Sequence, residues 1–145
     1  AITAAAVEAR LPDAEARGLR VDASFEPARA SGDPRLGERL VANLLDNAAR
    51  HNIPGGRVEI GTATREGKGV LTVVNTGPVV PPADLDRLYE PFQRLDSGRN
   101  GDEDGGLGLG LSIVHAIAAA HGAALVTRAQ PDGGLTTVVT FPPVP

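Results

Sequence analysis

The stretch RLVANLLDNAARHN, residues 39–52, decides the fold of this chain. Helical spacing gathers its apolar side chains on one face: Leu40, Val41, Leu44, Leu45 and Ala48. Asn43, Asn47 and Arg50 follow one another at intervals of about one turn and form a stripe along the border of that face. A plain surface helix does not need two amides and a guanidinium beside its buried face. The stretch therefore predicts a helix that contributes both to the core and to a functional site.

Both ends of this helix are marked in the sequence. Asp33 is a candidate N-cap, and Pro34 suits the first helical position because its ring presets the helical φ angle. The segment NIPGG, residues 52–56, ends the helix. These signals predict one continuous helix between them.

The bulk composition excludes several classes of function. With 145 residues the chain suits one domain, and its net charge of -4 without a basic stripe argues against nucleic acid as a partner. The absence of cysteine excludes disulfides and thiolate metal sites. The uncharged run 107–126 contains three glycines and two histidines, which favours a buried helix over a membrane span.

Alternating apolar and polar residues predict five strands: 19–25, 57–64, 70–75, 123–129 and 135–141. The second and third are separated by a short glycine loop and predict an antiparallel hairpin. Further helices are predicted at 1–16, interrupted at Pro12 and Asp13, at 83–88 and at 109–121, where Gly122 is a C-terminal cap. This order predicts an α/β (α+β) two-layer sandwich, with a mixed, mainly antiparallel sheet covered on one face by about three helices.

A glycine-rich stretch, GLGLGLS at residues 106–112, leads into the last helix. Alternating glycines allow a ligand to approach the backbone, and free N–H groups at a helix N-terminus favour an anion such as phosphate. The alternative interpretation is a glycine hinge that permits tight packing of the helix on the sheet. No Gly-Lys-Ser/Thr follows, so the stretch is not a P-loop.

The two asparagines supply neutral carbonyl oxygens, which suit Mg²⁺ when substrate phosphates balance most of its charge. Amides that cap neighbouring loops are the alternative for Asn43 and Asn47, and a surface position is the alternative for Arg50. Residues 95–106 are polar and glycine-rich, as in many binding loops and lids. Combined with the glycine-rich stretch, these features indicate a pocket for a magnesium-bound nucleotide.

These motifs resemble those of the catalytic, ATP-binding domain of sensor histidine kinases, a branch of the gyrase, heat-shock chaperone, histidine kinase and MutL ATPase superfamily. The resemblance spans residues 19–142 and rests on four motifs in the same order: NLLDNAARH (43–51) as the N box, YEPFQR (89–94) as the F box, GLGLGLSIV (106–114) as the second glycine box, and GLTT (134–137) as the last box. It implies a Bergerat-type ATP-binding fold.

The resemblance also implies the roles of individual residues. Asn47 would be the main Mg²⁺ ligand, Asn43 a possible second one, and Arg94 would assist transfer of the γ-phosphate. Residues 95–106 would form the ATP lid. The implied ATP-binding residues are Asn43, Asn47, Arg50, His51, Asn75, Gly77, Val79, Gly106, Leu107, Gly108, Leu109, Gly110 and Thr136.

One motif departs from the family pattern. The first glycine box usually reads Asp-x-Gly-x-Gly, and its aspartate accepts a hydrogen bond from the adenine amino group. Here the stretch is NTGPV, residues 75–79. Asn75 can still accept that bond, but without the added strength of a charged acceptor. Val79 in place of the second glycine restricts the loop, so we expect nucleotide binding to persist with a weakened adenine contact.

The sequence favours phosphate transfer over hydrolysis. ATPase members of the superfamily generally carry a glutamate at the position of Asn43, whereas an amide is a poor general base. His51, His115 and His121 lack the acidic neighbour usual after a phosphoacceptor histidine. The resemblance places that acceptor on a separate dimerisation domain, which we expect to precede residue 1. Residues 1–18 would lead from it, and residues 19–145 would form the ATP-binding domain.

The first hypothesis is thus the catalytic domain of a two-component sensor histidine kinase that uses ATP and Mg²⁺. Its implied partners are its own dimerisation domain and a response regulator. The full-length protein would be a homodimer with this domain in the cytoplasm and a membrane anchor upstream, and the isolated chain a monomer without autophosphorylation. The alternatives are a degenerate nucleotide-binding or interaction module, which Asn75 and Val79 suggest, and a small ATPase.

Overall fold

The computed structural model describes residues 2–81 and 109–144. Its three helices are α1 (Ile2–Ala16), α2 (Pro34–Arg50) and α3 (Leu109–Ala120), and its five strands are β1 (Arg20–Phe25), β2 (Arg57–Arg65), β3 (Lys68–Asn75), β4 (Ala124–Ala129) and β5 (Leu135–Thr140). The predicted helix at 83–88 and the predicted lid at 95–106 lie outside the described residues.

The sheet has the strand order β1-β2-β3-β5-β4. β1 pairs with β2 in parallel, and the remaining neighbours are antiparallel. The predicted hairpin of β2 and β3 is confirmed, and it turns at Glu66 and Gly67, whose φ angles of 54° and 78° are both left-handed. A mixed, mainly antiparallel sheet with helices is therefore the observed fold class, as predicted.

α2 has the predicted ends and the predicted buried face. The Asp33 side chain accepts a hydrogen bond from the backbone N–H of Arg35 at 2.9 Å, and Pro34 begins the helix. The buried residues of α2 are Leu40, Val41, Leu44, Leu45 and Ala48. Since these are the five residues that the helical spacing selected, the amphipathic pattern alone identified the face that packs on the sheet.

α1 runs without a break through Pro12, so the predicted interruption was wrong. A proline removes one helical hydrogen bond and crowds the preceding turn. Val7 and Ala14, on either side of Pro12, are only 7% and 5% exposed, and their burial offsets that loss. Val7 belongs to the same hydrophobic core as α2, so α1 packs as part of this domain.

One face of the sheet carries the core. Alternate residues of β2, β3 and β5 point to the helices and are buried: Val58, Ile60, Leu71, Val73, Leu135 and Val139. α3 contributes Leu111, Val114, Ile117 and Ala118 to the same cluster. Asn75 and Thr137 are buried polar residues among these positions. Within the two described ranges, no helix has the length and apolarity that crossing a membrane requires.

Candidate functional site

Asn43 and Asn47 lie on an edge of α2 that neither the sheet nor α1 covers. The sheet covers the face with Leu40 and Leu44. α1 covers a second edge, where Leu45 borders the same small cavity as residues of α1 and Asp46 pairs with Arg10. α3 also packs against α2. Helical geometry therefore turns Asn43 and Asn47 to the remaining edge, away from α1.

Asn43 holds an unused hydrogen-bond donor. Its Nδ2 atom is buried and has no hydrogen-bond partner among the described residues. A buried donor without a partner costs about 1–3 kcal/mol, so natural sequences retain one where a ligand or function requires it. Asn47 and Arg50, on the same stripe, are half-buried. An acceptor for the Asn43 donor would therefore have to come from outside the described residues.

A hydrogen-bond network fixes the end of α2 to the strands. Asn52 Nδ2 donates to Ala48 O at 3.2 Å and to Arg57 O at 3.0 Å. The Thr76 hydroxyl donates to Asn52 Oδ1, and Arg57 N–H donates to Thr76 Oγ1 at 2.7 Å. The loop after β3 is thereby held at a fixed position relative to the asparagine stripe.

Asn75 lies at the end of β3 on the helix-facing side of the sheet. It is 7% exposed and is opposite Val58 and Leu135, which both belong to the core. Its Nδ2 donates to Thr76 O at 2.9 Å. This bond uses one of the two N–H groups of the amide and so fixes the direction in which the Oδ1 acceptor points.

The next residues of this loop show why a glycine is needed at one position and not at another. A Cβ on Gly77 would be 2.9 Å from His51 O, closer than normal packing allows. Val79, at the position of the family's second glycine, is 66% exposed, whereas Val80 is buried at 6%. The bulk of Val79 therefore points out of the core, and the loop accommodates it.

The structure places Thr136 on the far side of the sheet. Side chains alternate along a strand, and β5 directs Leu135, Thr137 and Val139 to the helices. Thr136, proposed from the sequence as an ATP-binding residue, consequently points away from the asparagine edge of α2. Thr137 is the threonine of β5 that is buried on the helix-facing side. The alternation that makes Leu135 a core residue places Thr137 on the same face.

Several predicted site residues lie outside the described part of the chain: the F-box residue Arg94, the predicted lid at 95–106, and Gly106, Leu107 and Gly108. α3 begins at Leu109, the residue at which the sequence predicted a helix. Gly110 lies in its first turn. Their proposed roles at the phosphates stay predictions.

The donor set favours a metal ion that arrives with its substrate. Among the residues that the structure describes, no group of three or more histidine, aspartate or glutamate side chains is arranged to hold a metal. The candidate ligands are neutral amide oxygens, which cannot balance the charge of a divalent cation. These residues fit Mg²⁺ bound to a polyphosphate, where the phosphates supply the negative charge.

The sequence matches the family model described as "Histidine kinase-, DNA gyrase B-, and HSP90-like ATPase" over residues 32–145, and the chain belongs to this family. Within the family its relatives are sensor kinases. It is 46% identical over 131 residues to the sensor protein CutS of Streptomyces coelicolor, covering 90% of this chain and 31% of that protein. It is 33% identical over 132 residues to the sensor histidine kinase CpxA of Escherichia coli, covering 90% of this chain and 28% of CpxA.

Solved structures show the same fold. The mycobacterial sensor histidine kinase MprB superposes with a TM-score of 0.83 at 28% identity, covering 99% of this chain and 93% of that one. The catalytic domain of histidine kinase ThkA, at 20% identity, superposes with a TM-score of 0.82 over 99% and 92% of the two chains. The protein is thus a histidine kinase-type ATPase domain, and it spans about a third or less of the length of the curated relatives named above.

Proposed function

We propose that this chain binds Mg·ATP and donates its γ-phosphate to a histidine on a dimerisation domain outside these residues. The observation that carries the proposal is the buried Nδ2 of Asn43, which has no hydrogen-bond partner in residues 2–81 and 109–144. It lies on the edge of α2 that also carries Asn47, one turn away. A phosphate oxygen, or a water bound to the metal, is the acceptor that this donor lacks.

Each end of the nucleotide has residues suited to it. Asn47 Oδ1, with Asn43 beside it, would hold Mg²⁺, and Arg50 would contact a phosphate oxygen. Asn75 Oδ1 would accept the hydrogen bond from the adenine amino group. Bound Mg²⁺ would neutralise the charge that develops on the transferring phosphoryl group. The contribution of the protein is to position these groups before transfer.

The charges on α2 support transfer over hydrolysis. The acidic residues of α2 are Glu38 and Asp46. Glu38 lines a groove between α1 and α2, and Asp46 accepts a hydrogen bond from Arg10 of α1 at 2.8 Å. Both carboxylates therefore lie on the α1 side, away from the asparagine edge. Asn43 itself cannot take a proton from water at neutral pH, so α2 provides no general base at the phosphates.

The full-length protein would work with further partners. By analogy with sensor kinases, we propose that it is a membrane-anchored homodimer with this domain in the cytoplasm, and that a response regulator receives the phosphate. The isolated chain would be a monomer that binds nucleotide. It would not label itself, since none of its three histidines carries the features of a phosphoacceptor.

Calorimetric titration with a non-hydrolysable ATP analogue and Mg²⁺ tests the binding step. We expect binding by the wild-type chain and at least a roughly tenfold loss of affinity in Asn47→Ala, because a metal ligand is removed. Asp46→Ala is the matched control: it changes the adjacent residue but breaks only a half-exposed ion pair with Arg10, and it should leave the affinity unchanged.

Addition of the dimerisation domain and radiolabelled ATP tests the transfer step. A labelled histidine that disappears in Asn47→Ala supports the kinase. Absence of both binding heat and thermal shift in the wild type would reject nucleotide binding and leave an interaction module. Steady phosphate release by the isolated chain would instead indicate an ATPase.

A further inference from the structure

We infer that Gln130, in the turn between β4 and β5, is a positioning residue that keeps Asn75 oriented to select adenine over purines with a keto group. This inference rests on the proposed function, because it concerns the base end of the same nucleotide site. Gln130 is half-buried, and it belongs to none of the family motifs in the sequence.

Gln130 connects the turn to the Asn75 loop through its side-chain amide. Its Nε2 donates to the backbone carbonyl of Asn75 at 2.9 Å and to that of Gly133 at 3.3 Å. Both hydrogens of the amide nitrogen thus have an acceptor, one on each segment. The backbone N–H of Gln130 also bonds Gly134 O at 2.9 Å, which closes the turn itself.

The turn and the loop are packed backbone against backbone. Gly134 N–H donates to Pro78 O at 2.9 Å. A Cβ on Gly133 would overlap Gly77 O, and a Cβ on Gly134 would overlap Asn75 O. Both glycines also have left-handed φ angles, of 110° and 88°, so the backbone of the turn adopts a conformation that lets the loop pack directly against it. Gln130 supplies the side-chain bond within this contact.

This support matters because residue 75 is an asparagine. A carboxylate presents only acceptors, so its rotation does not alter what it recognises. An amide has a donor end and an acceptor end, and the donor end of Asn75 is held by Thr76 O at 2.9 Å. The peptide between Asn75 and Thr76 is held on its carbonyl by Gln130 Nε2 and on its N–H by Arg57 O at 3.0 Å. Loss of the Gln130 bond would leave only the second anchor, about which the peptide could tilt. The Thr76 carbonyl would then leave the amide, and Nδ2 would become available to a keto oxygen.

A comparison of two nucleotides isolates this contact. Inosine diphosphate carries a keto oxygen where adenosine diphosphate carries the exocyclic amino group, and its N1 carries a hydrogen where adenine N1 is an acceptor. Both changes lie on the same edge of the base, and the sugar and phosphates are identical. The ratio of the two affinities, measured by calorimetry with Mg²⁺, therefore reports the orientation of the Asn75 amide. A purely structural role of Gln130 would lower both affinities together and leave the ratio unchanged.

We expect the wild-type chain to bind adenosine diphosphate roughly tenfold more tightly than inosine diphosphate, which is the effect on affinity of about one hydrogen bond. Gln130→Ala should lose most of that preference. Gln130→Glu keeps the shape of the side chain without its donor and should behave in the same way. Asp132→Ala, an exposed position of the same turn, is the control and should keep the wild-type ratio. Thermal melts confirm that each variant is folded.

The Gln130→Ala substitution made in the Asn75→Asp variant distinguishes a specific effect on the Asn75 amide from a general loosening of the loop. In Asn75→Asp, position 75 has no donor end, so Gln130→Ala should no longer alter the ratio. The inference is overturned if Gln130→Ala keeps the wild-type ratio, if its effect persists fully in Asn75→Asp, or if the wild type binds both nucleotides equally. If the wild type binds neither nucleotide, the proposed function itself fails, and this inference fails with it.

Discussion

At the scale of single residues, Asn43 and Asn52 are buried to a similar extent but differ in whether their amide groups have hydrogen-bond partners among the described residues. Asn52 is saturated: its Nδ2 has two carbonyl partners, and its Oδ1 accepts from the Ile53 N–H at 2.9 Å and from Thr76. Asn43 leaves its buried Nδ2 without a partner among the described residues. Asn52 therefore stabilises the fold, whereas under the proposed function Asn43 exchanges stability for a ligand contact.

Replacement of Asn43 should reveal that exchange. We expect Asn43→Leu to raise the free energy of unfolding by about 1 kcal/mol, because an apolar side chain of similar size removes the unsatisfied donor. The same variant should lose nucleotide binding. Chemical denaturation and analogue titration measure the two effects.

Asn52→Leu is the matched comparison for Asn43→Leu. It removes an amide whose partners would be left unpaired, so it should lower the free energy of unfolding by about 1–3 kcal/mol. Equal destabilisation by the two leucine variants would contradict the assignment of Asn43 as a ligand-facing residue.

The sequence could select some candidate site residues and not others. Asn43 and Asn47 were found because both lie on one helix, where spacing alone determines their common edge. Gln130 was missed because its bond to Asn75 joins positions far apart in the chain, which no local pattern encodes. Thr136 was selected by its place in the last motif, which carries no information on the face that a strand residue takes.

At the scale of elements, the N-cap of α2 sets where the asparagine helix begins. Asp33→Ala removes the side-chain acceptor for the Arg35 N–H and should cost about 1 kcal/mol of stability. Asp33→Ser keeps an acceptor and should recover most of it. Thermal or urea denaturation gives both values. Equal stability of the two variants would show that the cap contributes nothing here.

The approach of the Gly77 loop to the end of α2 gives a second prediction at this scale. Gly77→Ala would place its Cβ 2.9 Å from His51 O, so we expect a loss of about 1–3 kcal/mol together with weaker nucleotide binding. Gly55→Ala is the comparison, because its φ of 73° imposes strain although nothing lies within 4 Å of the new Cβ. It should lower stability and leave nucleotide affinity unchanged. Loss of affinity in both variants would contradict this account.

Elements were predictable where local pattern and burial agree. The hairpin of β2 and β3 and the five buried residues of α2 followed from periodicity. Pro12 misled the prediction of α1, since a breaker residue gives no information about the burial of Val7 and Ala14 on either side of it. Tertiary packing overrides local preference there.

At the scale of the whole molecule, the class of fold was predictable but the strand order was not. β1 pairs in parallel with β2, although α2 lies between them in the sequence. β5 lies between β3 and β4 in the sheet, and α3 separates it from β3 in the sequence. Such pairings depend on which apolar faces meet, and the alternation in each strand is compatible with several neighbours. The order was therefore obtained only from the structure.

The place of β5 in the sheet has a consequence for how the protein folds. β2–β3 and β4–β5 are hairpins of adjacent strands, but β3 and β5 join residues as distant in sequence as Val74 and Thr136. The chain must lose the entropy of this long loop before the contacts between β3 and β5 can form. We therefore expect the pairing of β3 with β5 to limit the folding rate. Val139→Ala, at a fully buried position of β5, should slow refolding in stopped-flow experiments more than it speeds unfolding. The opposite result would mean that the two hairpins unite after the barrier has been crossed.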